Sequence, residues 1–346
     1  MKNHFVRLLG LAILSLTVAA GAGQAEQAGA PAYKLFATIK VGGAGGWDYA
    51  NLGPDGLLYV TRMTHTMAIE VATGKIVADI GGQQRSHGVA LVPDARRGFI
   101  SDGGSGSVQI FDLKTHASLG KVAAADDADA IIYDRASNRV LVMCGDANRM
   151  VAIAPDVNPA GGKAAATVDL GGSPEFAVAD GKGKVFVNLA DRDEVAVVDT
   201  KAMKVVARWP TGPGKRPTGM SMDPVTRRLF IGCRNNKLVV MNADDGKIVA
   251  DFPIGAYVDA TAFRDGLVFA SCGDGTLTII REVSADQFEP AQVVKTELGA
   301  RTMAVDPSGV MIYLPTADLT FPAGSSPEHP RPVPVPGTFR ILVVTQ

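Results

Sequence analysis

Seven short apolar or aromatic segments recur along this chain, centred on Tyr59, Phe99, Leu141, Phe186, Phe230, Phe269 and Tyr313. The intervals between these centres are 40, 42, 45, 44, 39 and 44 residues. Repeats of that length, each holding several short β runs, are typical of a β-propeller with one repeat per blade. The sequence therefore predicts an all-β fold, a seven-bladed β-propeller.

The fifth repeat shows how many strands each unit contains. Its short β-branched or aromatic runs cover residues 218–222, 229–233, 237–242 and 247–252. The turns between them are rich in Asp, Asn, Gly or Pro, the residues that end strands. We therefore expect four-stranded blades throughout the chain.

The last repeat predicts how the ring closes. It supplies strands near residues 301–305, 311–314 and 338–344, and a fourth strand is available at residues 33–39 near the N-terminus. Pairing the two ends in one blade removes open sheet edges, which otherwise promote aggregation. We expect the N-terminal strand to complete the seventh blade.

A proline-rich segment at residues 321–337 interrupts this last repeat. Its prolines are Pro322, Pro327, Pro330, Pro332, Pro334 and Pro336. Such a composition predicts an extended loop without a core of its own. The loop is expected either to lie over one face as a partial lid or to be a surface insertion.

The first 25 residues have the pattern of a secretory signal peptide. A basic start is followed by an apolar run from Leu8 to about Ala20 and by small residues, with cleavage expected after about Ala22 or Ala25. The repeats then continue without a linker, so we expect one domain over residues 26–346. The predicted protein is exported, periplasmic or secreted, soluble and monomeric.

Charge and hydropathy exclude two classes of partner. Without Lys2 and Arg7 of the predicted leader, 32 basic residues face 35 acidic ones, a net charge of −3. A nucleic-acid-binding surface needs a clustered basic face, which this balance does not provide. Beyond the leader no segment approaches the roughly 20 apolar residues of a membrane helix. We expect neither nucleic acid nor a membrane span.

Three cysteines occupy one equivalent position in different repeats, three residues after the strand centre. They are Cys144, Cys233 and Cys272. Equivalent points on neighbouring blades are expected to lie farther apart than a disulfide tolerates. The prediction is three buried free thiols.

Several phrases resemble the YVTN-repeat propellers, and the chain is similar to the YncE-like periplasmic seven-bladed β-propeller family from about residue 33 to residue 344. These phrases are Leu58–Thr61, Pro174–Gly181, Val195–Asp199, Pro217–Gly219, Cys233–Asn235 and Gly299–Met303. The resemblance implies an exported binding or scaffold protein. It names neither a ligand nor a reaction.

Polar residues stand where each inner strand begins, at the mouth of the expected channel. In blade order they are Asp48, His87, Asp129, Glu175, Thr218, Asp259 and Arg301, with Trp47 beside the first. They are expected to form one polar ring. The ring is either an ordinary channel lining, hydrogen-bonded to water and loop amides, or a ligand-binding site.

The chemistry of the ring suits two kinds of ligand. Carboxylates of Asp48, Glu175 and Asp259 could hold a divalent cation such as Ca²⁺, the one cofactor that the sequence suggests. Arg301 could instead clamp a carboxylate or phosphate on a small molecule, with Trp47 as an apolar wall.

Binding of a small ligand or a periplasmic protein at this mouth is the leading functional prediction. The first alternative is a divalent-metal-dependent, lactonase-like hydrolase that uses the acidic ring, an analogy of architecture alone. The second is a protein-protein interaction scaffold. No Ser-His-Asp spacing, phosphate loop or zinc motif supports catalysis, so the sequence favours binding over enzymatic activity and leaves the question of catalysis open.

Overall fold

The computed structural model describes residues 32–322 and 332–346. The predicted leader and residues 323–331 of the proline-rich loop lie outside this part of the chain. The described residues form seven four-stranded antiparallel blades, each built from consecutive strands except the last. The seven-bladed propeller with four-stranded blades is thus confirmed.

The strands follow the repeats in chain order. Strand β1 (Lys34–Lys40) comes first, and blades 1 and 2 contain β2 (Ala50–Leu52), β3 (Leu57–Thr61), β4 (Met63–Glu70), β5 (Lys75–Val92), β6 (Arg97–Asp102), β7 (Ser107–Asp112) and β8 (Ser118–Ala123). Blades 3 and 4 contain β9 (Ala128–Asp134), β10 (Arg139–Cys144), β11 (Arg149–Ile153), β12 (Ala166–Asp169), β13 (Pro174–Ala179), β14 (Lys184–Leu189), β15 (Glu194–Asp199) and β16 (Lys204–Pro210).

The second half of the chain continues the pattern. Blades 5 and 6 contain β17 (Pro217–Asp223), β18 (Arg228–Cys233), β19 (Lys237–Asn242), β20 (Ile248–Pro253), β21 (Val258–Arg264), β22 (Leu267–Cys272), β23 (Thr276–Ser284) and β24 (Gln287–Lys295). The remaining strands are β25 (Ala304–Val305), β26 (Met311–Thr316), β27 (Leu319–Thr320), β28 (Val333–Pro334) and β29 (Arg340–Thr345). Strands β27 and β28 pair with each other as a separate two-stranded ribbon.

Blades 1 and 2 are joined by one continuous strand. Strand β5 pairs with β4 through its first part and with β6 through its last part. The joining segment stays extended because the Gln83 side chain donates hydrogen bonds to the Ile80 carbonyl at 2.9 Å and to Gln109 Oε1 at 2.7 Å. The one helical element among the described residues is a 3₁₀ turn at Pro93–Ala95.

The N-terminal strand closes the ring, as predicted. Strand β1 pairs antiparallel with β29, which pairs with β26, so that blade 7 has the order β25-β26-β29-β1 from its first strand outward. The expected strand at 301–305 is shorter, beginning at Ala304, because Arg301 and Thr302 bind the first blade instead.

The apolar core lies between successive blades. All seven repeat centres fall on the second strand of a blade, and each is at most 6% exposed. Burial of these side chains against the next blade supplies the hydrophobic stabilisation of the ring. The cysteines are buried free thiols, as predicted, and burial raises the pKa of each to about 12. No helix within residues 32–322 and 332–346 has the length and hydropathy needed to cross a bilayer.

Candidate functional site

Side chains of one blade hold the backbone of the next at the channel mouth. Four hydroxyl groups and one amide each donate to a carbonyl near the start of an inner strand, across a blade boundary. The pairs are Thr61 to His87 at 2.7 Å, Asn188 to Thr218 at 2.8 Å, Thr218 to Val258 at 2.9 Å, Ser271 to Ala300 at 2.8 Å, and Thr302 to Asp48 at 2.8 Å. These bonds fix the backbone from which the ring side chains project.

An imidazole between two carboxylates forms one half of the site. His87 Nδ1 lies 2.6 Å from Asp48 Oδ2 and 3.4 Å from Asp129 Oδ1. On the opposite side of the imidazole, His87 Nε2 is 4.0 Å from Asp127 Oδ1. The carboxylate of Asp127 also forms an ion pair with Arg85. Blades 1, 2 and 3 thus meet in one small group of ionisable side chains.

Two atoms of this group have no hydrogen-bond partner among the described residues. They are His87 Nε2 and Asp129 Oδ1, and both are buried. Most buried polar side-chain atoms in proteins are hydrogen-bonded. These two are therefore candidates for contact with a ligand or an ion.

The pKa values reflect the crowding of charge. Burial alone lowers the pKa of His87, but the hydrogen bond to Asp48 and the carboxylates of Asp129 and Asp48 raise it to about 9. Burial raises the pKa of Asp129 well above its usual range, and the neighbouring Asp48 and Glu175 add to the effect against His87. At neutral pH the histidine is therefore a cation.

Glu175 and Tyr49 lie on the inner side of this group. Burial, together with the carboxylate of Asp259, raises the pKa of Glu175 to about 7. Burial also raises the pKa of Tyr49, whose ring packs on Phe176 with centroids 5.1 Å apart. Among the described residues Glu175 forms no ion pair, so its carboxyl is available as donor or acceptor near neutral pH.

Two guanidinium groups share one carboxylate in the other half of the site. Asp259 Oδ2 accepts from Arg301 Nε at 2.7 Å, and Asp259 Oδ1 accepts from Arg234 Nη2 at 2.5 Å. Arg301 Nη2 also donates to the Trp47 carbonyl at 3.1 Å and lies 3.6 Å from Asp48 Oδ1. Arg301 thus connects this half of the site to the imidazole half.

Two cavities lie near these groups, and neither is lined by Asp48, His87 or Asp129. One, of about 710 Å³, follows the inner strands and is lined by apolar side chains such as Ile131 and Phe176, with Tyr49 in its wall. The other, of about 520 Å³, lies beside the ring and is lined by Trp47, Arg234 and Arg301 together with apolar residues. The site therefore combines charged groups with apolar walls, as small-molecule sites do.

The structure arranges the predicted residues differently around the ring. Thr218 is only 2% exposed, and its hydroxyl is occupied in the bond between blades 5 and 6. Of the predicted metal ligands, Asp259 is held by two arginines, and Glu175 lies outside the group whose ligand atoms fall within 4.8 Å of one another. Among the described residues that group is Asp48, His87 and Asp129.

Arg234 and Arg85 were not among the predicted site residues. Arg234 follows β18 and reaches the ring from the turn to β19, whereas the predicted set held only the starts of inner strands. Its sequence signal is its place in the phrase Cys233–Asn235, where a charged residue follows a buried cysteine directly.

Comparison with known proteins supports the fold. No family model matches the chain, and no curated protein matches it. Similar solved structures include the WD40 repeats of RRP9, with 11% identity, a TM-score of 0.72, and coverage of 91% of this chain and 99% of that one. A chain of the mitotic checkpoint complex has 11% identity, a TM-score of 0.69 and coverage of 99% of both chains.

A third structural relative is hydrazine synthase of Kuenenia stuttgartiensis. It has 12% identity, a TM-score of 0.66, and coverage of 78% of this chain and 92% of that one. At these identities the likeness extends to the β-propeller fold alone.

Proposed function

We propose that this chain is an exported, YncE-like binding protein that takes a small ligand at the mouth of its channel. The observation that carries the proposal is the pair of buried atoms His87 Nε2 and Asp129 Oδ1, which have no hydrogen-bond partner among the described residues. A buried polar group without a partner costs about 1–3 kcal/mol. A ligand that offers an acceptor to the imidazolium and a donor or acceptor to Asp129 removes that cost on binding.

The protonation states support a ligand with polar groups of both kinds. His87 donates as a cation at neutral pH, because its pKa is about 9. Glu175, with a pKa of about 7, is present in both protonation states under the same conditions. A site that both donates and accepts selects ligands by hydrogen-bond pattern rather than by net charge.

Thermal melting of the purified protein against a library of small polar molecules tests the proposal. A ligand specific for the folded state stabilises it by about 2.7 kcal/mol at a concentration of one hundred times Kd. We expect at least one such ligand, whose effect is lost in His87→Gln and in Asp129→Asn. The matched control is His116→Gln, an imidazole that contacts Tyr59 away from the ring.

Two results would count against the proposal. One is a ligand that stabilises the ring variants as much as the parent protein, since its site then lies elsewhere. The other is an absence of any ligand effect while a protein partner captured on the parent protein binds the ring variants equally well. That second result favours the interaction scaffold, with the blade rims and the proline-rich loop as its surface.

A divalent-metal site is the second candidate, favoured by the group of Asp48, His87 and Asp129. Their ligand atoms lie within 4.8 Å of one another, and two carboxylates with one imidazole suit several divalent cations. Such an ion, Ca²⁺ for example, polarises a carbonyl and activates water, the chemistry of a lactonase-like hydrolase. Asp48 and Asp129 would hold it, with His87 either as ligand or as base.

The proton on His87 sets the conditions for testing this candidate. A metal that binds Nδ1 must displace that proton, so its affinity rises as the pH approaches 9. Melting curves at pH 8.5 with EDTA, Ca²⁺, Mn²⁺ or Zn²⁺ should then show stabilisation that Asp129→Asn abolishes. If the melting temperature is the same with EDTA and with each of the three metals, the metal-dependent hydrolase is rejected. Binding of a small ligand then stays as the proposed function.

A further inference from the structure

The cavity beside the polar ring has a size and a lining that suit a ligand of its own. It measures about 520 Å³ and receives residues from blades 1, 5, 6 and 7 and from the ribbon of β27 and β28. Small-molecule pockets typically measure about 300–1,000 Å³ and combine mostly apolar walls with a few fixed polar groups. This cavity has that size and that combination.

We propose that the cavity binds a small amphipathic carboxylate, with its carboxylate on Arg234 and Arg301 and its apolar body against Trp47. This inference rests on the proposed function and names the ligand class for the same mouth. Three observations carry it: the unused donors of two arginines, an exposed apolar wall, and a buried indole N–H without an acceptor.

The two arginines are fixed in place but not saturated. Asp259 accepts from Arg301 Nε and from Arg234 Nη2, which orients both planar groups. Arg301 Nη1 and the Nε and Nη1 of Arg234 make no hydrogen bond within residues 32–322 and 332–346, and each side chain is 31% exposed. An anion that accepts from these remaining N–H groups meets charge-assisted donors that are already oriented.

The balance of charge favours a singly charged anion. Two guanidinium groups face one shared carboxylate, and Asp48 lies 3.6 Å from Arg301. The net charge that these groups present to a ligand is therefore one positive unit or less. A monocarboxylate matches this remainder, whereas a phosphate monoester brings nearly two negative charges next to Asp48 and Asp259.

The apolar lining of the cavity indicates the chemical character of the rest of the ligand. Met63, Leu298 and Phe321 line the cavity and are 37%, 48% and 50% exposed. Exposed apolar side chains that converge on one cavity mark a binding surface more strongly than scattered ones. The apolar part of the ligand covers them and gains the corresponding burial energy.

Trp47 lines the cavity beside Arg301. It is 4% exposed, and the guanidinium carbon of Arg301 lies 5.7 Å from the centroid of its ring. Its Nε1–H donates to no acceptor among the described residues. A buried indole N–H usually has a partner, and a second oxygen of the ligand carboxylate or a carbonyl near it meets this requirement.

Trp47 also provides the readout. The chain contains two tryptophans, Trp47 and Trp209, so the Trp209→Phe variant reports on the cavity alone. The probe is 3-phenylpropionate, compared with its neutral amide and with propionate, which lacks the aromatic ring. We expect saturable change of Trp47 emission with 3-phenylpropionate, and affinity weaker by about tenfold or more for the amide, since hydrogen bonds to charged groups contribute about 1.5–3 kcal/mol.

Substitutions locate the binding. In the same background Arg234→Gln should weaken 3-phenylpropionate by about tenfold or more and leave the amide unchanged. Leu298→Asn, at an exposed position, should weaken both probes. The matched control is Arg281→Gln: Arg281 has the same 31% exposure and an ion pair, with Glu289 on blade 6, but lies outside the cavity. It should change neither affinity.

The outcomes separate this inference from the proposed function. Equal binding of acid and amide, or equal binding to Arg234→Gln and the parent, overturns the carboxylate assignment; the first comparison needs no variant that could misfold. If 3-phenylpropionate fails at millimolar concentration while another molecule stabilises the protein in a His87-dependent manner, the inference fails and the proposed function stands. If nothing binds in either experiment, both fail.

Discussion

Two clusters of buried charge, one where blade 7 meets blade 1 and one where blades 1, 2 and 3 meet, are satisfied to different degrees. In the first, Arg62 is completely buried and has no carboxylate within ion-pair distance among the described residues. All three guanidinium nitrogens donate to backbone carbonyls, and the group stacks 3.6 Å above the Phe339 ring. The carbonyls belong to Gly42 at 3.3 Å, Ala44 at 2.9 Å, Gly45 at 3.2 Å and Gly46 at 3.0 Å.

The ring around His87 contains far more charge and leaves part of it unpaired. In the described part of the chain, His87 Nε2 and Asp129 Oδ1 lack hydrogen-bond partners, and the carboxyl of Glu175 forms no ion pair. The difference separates two uses of buried charge. Arg62 is saturated because it serves the fold, by holding the loop that leads into Trp47 and Asp48. In the proposed function, the remaining contacts of the ring are available to a ligand.

The largest effect is expected from Arg62→Met, which keeps the stem of the side chain and removes the donors. Four loop carbonyls then lose a charged donor, and each buried acceptor left without a hydrogen bond costs about 1–3 kcal/mol. The free energy of unfolding from denaturant titration measures the loss. Arg281→Gln serves as the reference, because an exposed ion pair contributes about 0–1 kcal/mol. If Arg62→Met lowers the free energy of unfolding no more than Arg281→Gln does, the hydrogen bonds from Arg62 to the loop carbonyls do not stabilise the fold.

The pH dependence of stability should come from the ring and not from Arg62. The pKa of His87 is about 9 in the folded protein and about 6.5 when unfolded. Folding therefore binds a proton between these values. The resulting stabilisation is complete below pH 6.5 and is lost as the pH rises through 9, by about 2–3 kcal/mol.

Unfolding titrations at pH 6, 7.5 and 9 measure this slope in the parent, in His87→Gln and in His116→Gln. The His87 variant should have a flatter profile over this window, whereas the His116 variant should follow the parent. If the profiles of the parent and His87→Gln run parallel, the imidazole is not the cation between Asp48 and Asp129, and the contrast between the two clusters weakens.

The fold was predictable from the sequence because it repeats. Strand centres, turns and the N-terminal closing strand each follow from local patterns that recur seven times or occur at the chain ends. The continuous strand β5 is the exception among these features. Its extension depends on Gln83, whose amide bonds to Gln109 of the next blade, and a contact between blades has no signature in either repeat.

The site was predictable as a set of residues but not as a set of contacts. The repeat register places Asp48, His87 and Asp129 on three successive blades, so their proximity follows from blade order once the ring is assumed. The register also places Glu175 and Asp259 at the mouth, yet it says nothing of Arg234, which binds Asp259 from a turn. Arg62 was missed for the same reason, since its partners are backbone atoms of a glycine-rich loop.

The smallest expected effect, that of Glu175→Gln, distinguishes the two clusters most directly. Glu175 has a pKa of about 7 in the folded protein and near 4.3 when unfolded. Its charged form is therefore disfavoured by folding, and stability falls as the pH rises from 4.3 to 7. At pH 8 Glu175→Gln, which removes the charge and keeps the shape, should raise the free energy of unfolding by about 1–2 kcal/mol after allowance for solvent screening.

The gain should vanish below pH 4.3, where the glutamate is neutral in both the folded and the unfolded state, and comparison with pH 8 checks it. A substitution that stabilises the fold while weakening a ligand identifies a group retained for binding. Glu175→Gln should do both with any ligand found at the mouth. If it instead destabilises the protein at both pH values, Glu175 is a satisfied structural group like Arg62, and the unsaturated cluster contracts to His87 and its two aspartates.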